Sequence, residues 1–355
     1  MSLETKRIKE LFGYARTLTK EQGVGVMAGR AVGFFKRRFF GKKARYLPSA
    51  RTLDAQRADA AANAAGWPTI SILTPLYNTP PQFLQQLLDS VQAQTAPNWQ
   101  LVLVDASDDA HADVGETVRA RAAQDNRIVY AKIKNAGIAA NTNEAAKLAT
   151  GDYLALADHD DMLAPHAVYC MSKALAESGA PFAYSDEALF EKPPEHPRVG
   201  HFKPDYAPEY LMAVNYICHL AVFKKSLFDA VGGERPACDG AQDHDLFLRL
   251  VDEMQRSDPA AKPLHIPQVL YYWRVHAAST SGGTAAKPYV EQAAQRAVAD
   301  HLTATGRQGR VEAGLFPGTC HVVWDIPEPE PLVSILIPNK DHTDDLEKCL
   351  HSIYA

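Results

Sequence analysis

Between Thr69 and Ala157 the sequence alternates apolar runs with amphipathic stretches, and this rhythm limits the fold more than any other feature. Thr69–Leu76, Leu101–Asp105, Ile128–Lys132 and Tyr153–Ala157 read as buried strands. Between them, Phe83–Ala93, introduced by Pro80-Pro81, and the stretches around Asp113–Gln124 and Ala139–Ala149 read as helices. Strands separated by helices at this spacing need crossover connections, so the expected fold is α/β, a mostly parallel Rossmann-like sheet with helices on both faces. Ligands of such sheets gather beyond the carboxyl ends of the strands.

The strand Tyr153–Ala157 ends in three carboxylates, Asp158, Asp160 and Asp161. Two ionised carboxylates about 5 Å apart repel by roughly 3 kcal/mol at an effective dielectric of 20, so the cluster calls for a cation, a proton or strong donors. A hard divalent ion fits best. The competing reading, a solvated turn before the helix signalled by Pro165, would need one Asp rather than three. Phosphatases of the haloacid dehalogenase type carry a similar Asp-x-Asp, but Met162 stands where they usually have Thr or Val. No Gly-x-Gly-x-x-Gly or Gly-x-x-x-x-Gly-Lys follows the first strand, which argues against dehydrogenases and P-loop NTPases.

With 355 residues and 46% hydrophobic content, the chain has room for about two domains. A net charge of −5 predicts no general affinity for nucleic acid. The charge is uneven: residues 1–45 hold twelve Lys or Arg against three Glu, and Phe34, Phe35, Phe39 and Phe40 lie among the basic residues. This segment, within a helical extension over 1–66, reads either as a contact with an anionic membrane surface or as a solvated helix packed on the main domain. The five cysteines are widely spaced and form no Cys-x-x-Cys pair, which argues against a disulfide framework or zinc ribbon. The apolar stretch Leu211–Phe223 is short and interrupted by Asn215 and His219, so no spanning segment is expected and a cytoplasmic location is the default, with peripheral attachment to the inner face of the membrane as an extension of it.

Residues 67–287 are expected to form the main domain, in which 182–285 reads as a substrate-binding subregion with shorter strands. Residues 288–330 read as helix and linker. Leu332-Val-Ser-Ile-Leu-Ile-Pro338 then repeats Thr69-Ile-Ser-Ile-Leu-Thr-Pro75, and Leu346–Ile353 repeats the helix near Phe83. Residues 331–355 are therefore expected to begin a second copy of the fold, cut off after one strand and one helix.

Ser71-Ile-Leu-Thr-Pro-Leu-Tyr-Asn78, Leu103-Val-Asp105, Asn135-Ala-Gly-Ile138, Asp158-His-Asp-Asp161, Tyr184-Ser-Asp-Glu187, Gln242-Asp-His-Asp-Leu-Phe-Leu-Arg249 and Leu270-Tyr-Tyr-Trp-Arg-Val-His276 follow one another in an order that resembles family 2 glycosyltransferases of the GT-A fold, including tandem bacterial surface-polysaccharide enzymes. The resemblance covers about residues 69–285. It implies a UDP- or dTDP-sugar donor, a divalent metal (Mn2+ or Mg2+) and inversion at the anomeric carbon. It makes Asp160 a metal ligand, with Asp158 either meeting the ribose or sharing the metal, and His276 a further ligand. Asp243 takes the position of the family's base, with Gln242 in place of the usual Glu and Asp245 as a rival. Pro75, Tyr77, Asn78, Asp105, Asn135, Gly137 and Asn143 fall to the nucleotide. Arg274 either clamps the diphosphate or caps the sheet, and Tyr184, Asp186 and Glu187 fall to sugar or acceptor hydroxyls. The implied acceptor is a growing surface glycan, such as an O-antigen or capsule, carried on a polyprenyl lipid. Two alternatives stand beside this reading: a catalytically silent glycan-binding module of a tandem enzyme, and a nucleotidyltransferase, which the lack of a Gly-rich basic loop disfavours.

Overall fold

The computed structural model describes residues 47–191, 199–276, 288–316 and 318–354. The basic segment 1–45 lies outside them. The described chain opens with helix α1 (Ala50–Asn63), capped by the Ser49 hydroxyl, which accepts from the Thr52 amide. Then come β1 (Ile70–Leu76), α2 (Pro81–Gln92), β2 (Trp99–Asp105), α3 (Ala112–Ala122), β3 (Ile128–Lys132), α4 (Ile138–Leu148) and β4 (Tyr153–Leu156). This is the expected alternation, and β1 pairs in parallel with both β2 and β4. All seven residues of β1 and of β2 are buried because helices cover both faces of the sheet. Ile70, Ile72 and Leu76 of β1 join one core cluster and Leu73 the other, as the two-residue period of a strand requires.

The second half comprises β5 (Met162–Leu163), α5 (Ala167–Ser178), β6 (Phe182–Phe190), β7 (Val199–His201), α6 (Pro208–Ala213), β8 (Ala221–Lys224), α7 (Lys225–Ala230), α8 (Gln242–Ser257) and β9 (Leu264–Arg274). It extends the same sheet to the order β3-β2-β1-β4-β8-β6-β9-β5, with β7 on β6. The mostly parallel sheet is as expected, with β8 inserted antiparallel to both β4 and β6. The strands of this half are of mixed length: β7 has three residues and β8 four, as expected of shorter strands, whereas β6 has nine and β9 eleven. Tyr184, Asp186 and Glu187, expected to follow a strand, lie inside β6, where register shifts on either side of Asp186 interrupt its pairing with β9. A bulge of this kind admits consecutive polar residues that break the apolar pattern of a strand.

Beyond the main sheet stand α9 (Pro288–Ala304) and a hairpin of β10 (Gly309–Ala313) and β11 (Cys320–Trp324), where a linker was expected. Helix α10 (Thr343–Tyr354) matches the expected second-copy helix, but residues 332–338 form no strand. Leu332 is 97% exposed, and Leu336 is similarly bare. A strand needs neighbours to satisfy its backbone, and none among the described residues is offered here. Among the described residues no helix is long and apolar enough to cross a membrane.

Candidate active site

A cavity of about 370 Å3 opens beyond the carboxyl ends of β1 and β4, bounded by Pro75, Asp158, Asn215, His219, Glu234 and Asp243. Its position follows from strand lengths. The last rung between β1 and β4 is Leu73 with Leu156, so β1 continues past β4 to Pro75, paired on its other side with β2, and the missing amide proton of Pro75 costs no bond on the open side. At the tip Asn78 adopts φ 48° and ties β1 to the end of β2: its amide donates to Ser107 Oγ at 2.9 Å and its side chain to Asp108 Oδ2 at 2.8 Å. Tyr77 keeps its ring half-exposed beside them.

Asp105 is buried and accepts from the Ser107 amide, the Tyr130 hydroxyl and the Lys132 ammonium at 2.9, 2.9 and 3.2 Å. Burial works against its charge, but these donors hold its carboxyl below the usual range. Asn135 Oδ1 accepts from the Gly137 amide at 3.1 Å, and Gly137, at φ 95°, begins α4. A Cβ there would come within 2.4 Å of Asp239 Oδ2, and the other oxygen of Asp239 caps α4 through the Ala139 amide. Asn143 grips the backbone of Glu234.

The acidic loop after β4 is wired to β9. Tyr271 accepts from the Asp158 amide at 3.0 Å and donates to Asp161 Oδ2 at 2.7 Å, while the Arg274 amide donates to Asp161 Oδ1 at 2.7 Å. Burial, with Asp158 and Asp160 nearby, pushes the Asp161 carboxyl well up. The Arg274 guanidinium donates to the Asp160 carbonyl and to Gln86, and lies between the rings of Phe83 and Phe190 at 4.2 and 4.4 Å. It is thus engaged by the sheet and the acidic loop. His276 Nε2 lies 2.7 Å from Asp160 Oδ2.

Across from this loop, Lys203 is buried and its ammonium donates to the carbonyls of Ile217 and His219 at 2.7 and 2.6 Å and to Glu187 Oε2 at 3.1 Å. This bond set holds the segment before β8, so that His219 stacks on Tyr271 and brings Nε2 within 3.5 Å of Asp158 Oδ2. Burial opposes a charged His219, but Asp158, with Asp161 and Glu187, outweighs it and raises the imidazole to about 9. Tyr184 sends its hydroxyl to the Pro204 carbonyl at 2.7 Å, and Asp186 accepts from the Lys203 amide and faces His265 at 2.9 Å. Tyr184, Asp186 and Glu187 are therefore buried and bonded within the protein.

The two carboxylates at the start of α8 part ways. Asp243 lines the cavity and accepts from Asn215 Nδ2 at 2.8 Å; burial raises its carboxyl above the ordinary range. Asp245 is 1% exposed and locked to Arg235 and to Arg249, whose Nη2 stands 2.6 Å away. The helix lies this way because Leu246, Phe247, Leu250 and Val251 face the core.

Asp158, Asp161 and His219 each offer a ligand atom, all within 4.8 Å of one another. Among the described residues these three are the set that fits a divalent ion, oxygen and imidazole ligands that suit manganese as well as magnesium, while Asp160 lies against His276. His219 and Glu234 were not singled out from the sequence, although His219 and Asn215 are the two polar residues that interrupt the apolar stretch 211–223.

Residues 71–232 match the family described as Glycosyl transferase family 2. The chain is 38% identical over 291 residues to the uncharacterized protein y4gI of Sinorhizobium fredii, covering 81% of this chain and 31% of that protein. It is 32% identical over 299 residues to the O-antigen biosynthesis protein RfbC of Myxococcus xanthus, covering 84% of this chain and 23% of that protein. It thus spans under a third of these relatives' length. A structure of S. aureus TarS 1–349 in complex with UDP-GlcNAc superposes with a TM-score of 0.51 at 16% identity, covering 66% of each chain, which establishes a shared GT-A fold.

Proposed function

This chain belongs to glycosyl transferase family 2 through residues 71–232, and from that premise we propose that it is an inverting glycosyltransferase acting on a nucleotide-sugar donor. The observation that carries the reading is the pairing of Asp158 and Asp243 in one cavity, one from the strand-end loop and one from the first turn of α8. A donor sugar between them would present its diphosphate to the Asp158 loop and its opposite face to Asp243. Asp243 would take the proton of an acceptor hydroxyl as that oxygen bonds to the anomeric carbon. The bond to the diphosphate oxygen breaks with its electron pair, and configuration inverts. A carboxylate raised by burial is a better base than an exposed one. Asn215 orients it. A bound divalent ion would neutralise charge developing on the leaving diphosphate.

RfbC, the O-antigen biosynthesis protein, supports a surface glycan as acceptor, and the polyprenyl carrier and membrane contact through residues 1–45 extend that reading. The sequence repeat at 332–338, in relatives of which this chain spans 31% and 23%, supports a tandem arrangement in which residues 331–355 open a second copy.

The test is calorimetric titration of UDP, dTDP and GDP with Mn2+, repeated in EDTA and with Asp160→Ala. Binding of one diphosphate that disappears in both controls is expected. Absence of binding to every diphosphate would overturn the enzyme reading in favour of a silent module.

A further inference from the structure

Glu234 is a buried side chain of the cavity wall with an unpaired oxygen. It is 3% exposed, it lines the cavity with Asp158 and Asp243, and its Oε2 has no hydrogen-bond partner among the described residues. Burial, then the charges of Asp243 and Asp158, push its carboxyl well above the usual range. An unpaired buried polar group of this kind lowers stability.

The fold nonetheless fixes it there. Asn143 of α4 clamps its backbone at two points, donating to the Glu234 carbonyl at 2.8 Å and accepting from its amide at 2.9 Å. The preceding Gly233 sits at φ 75°, where a Cβ would come within 2.5 Å of Asn143 Oδ1, so the turn accepts glycine alone. Arg249 holds the same turn through the carbonyls of Val231 and Gly233 at 2.9 and 2.8 Å. A carboxyl whose backbone is held by α4 and α8, buried and with one oxygen unpaired, is built for something that arrives.

We propose that Glu234 is a sugar-recognition residue whose free oxygen hydrogen-bonds a hydroxyl of a pyranose bound in the cavity. The inference rests on the glycosyltransferase reading and deepens it. A sugar hydroxyl donates and accepts, as a carboxylic acid does, whereas an anionic group at this spot would meet Asp158 and Asp243. The hydroxyl belongs either to the donor sugar or to the acceptor, and the two are separable.

UDP, UDP-GlcNAc, UDP-glucose, UDP-galactose, dTDP-rhamnose and GDP-mannose are titrated with Mn2+ into the wild-type protein, Glu234→Gln and Glu234→Leu. The expected result is a nucleotide sugar bound about ten- to a hundredfold more weakly by Glu234→Leu, within about threefold of wild type by Glu234→Gln, with the parent diphosphate unchanged. Glu234→Leu is also expected to raise the Tm, since it removes an orphaned polar group; a lower Tm in both variants would mark a structural role and overturn the inference. Unchanged donor binding with an equal rise in KM for methyl glycoside acceptors would assign the hydroxyl to the acceptor. Neither change overturns this inference alone. Failure of every donor to bind wild type overturns the glycosyltransferase reading and this inference with it.

Discussion

Asn215 Nδ2 donates to Asp243 Oδ2 at 2.8 Å, joining the segment after α6 to the first turn of α8 across the cavity. The bond aims Oδ2, while Oδ1 accepts from the His244 amide at 2.8 Å. Asp243→Asn is expected to lower the sugar-transfer rate by about 10²–10⁴-fold with nucleotide-sugar affinity retained, measured by product formation under saturating donor. A loss below tenfold would remove Asp243 from the role of base.

Asp245, two residues on, has the opposite expectation. It pairs with Arg249 and with Arg235, which also holds Asp300 at 2.8 Å, so Asp245→Asn leaves Arg249 without a carboxylate and should cost about 3 kcal/mol. Urea unfolding should show a lower midpoint at an unchanged slope. An unchanged midpoint would mean that these ion pairs contribute nothing net.

The contact of His276 with Asp160 predicts metal dependence at one locus. Asp160→Ala and His276→Ala should each weaken Mn2+ binding, followed by titration of the metal alone, by at least about tenfold. EDTA should abolish the metal-dependent part of nucleotide binding in wild type and change nothing further in Asp160→Ala. Equal nucleotide affinity with and without EDTA in wild type would exclude the metal.

His166 gives a pH prediction far from chemistry. Burial lowers its imidazole from the usual 6.5 to about 4, so the unfolded chain binds the proton more readily between those values. Stability is then fully present above pH 6.5 and is lost as pH falls towards 4, by up to about 3 kcal/mol for a shift of that size. His166→Asn should flatten the dependence of unfolding free energy on pH across that window. Parallel curves for the two proteins would show that His166 is not the group responsible.

The sheet was legible where the chain obeys a simple period. In β1, β2 and β4 both faces are covered, so the apolar runs announce themselves. β6 was not, because Ser185, Asp186 and Glu187 are buried through partners on β7, β9 and Lys203, and a pattern based on hydrophobicity reads such residues as a turn. The same blindness hid Glu234 and His219, since what makes each unusual is a neighbour distant in sequence. For His219 that neighbour is Asp158, and for Glu234 it is Asn143, 91 residues away. The repeat at 332–338 shows the converse: a strand-like sequence stays irregular where no partner meets it.

Lys203 joins three oxygens through one nitrogen, and in mechanical terms that makes the wall bearing Asn215 and His219 a strut rather than a flap. A molecule entering the cavity meets that side already shaped and spends little on rearranging it. Adaptation to a different guest would then have to come from the opposite bank, where the side chains of Asn143 and Arg249 set how far a turn leans in.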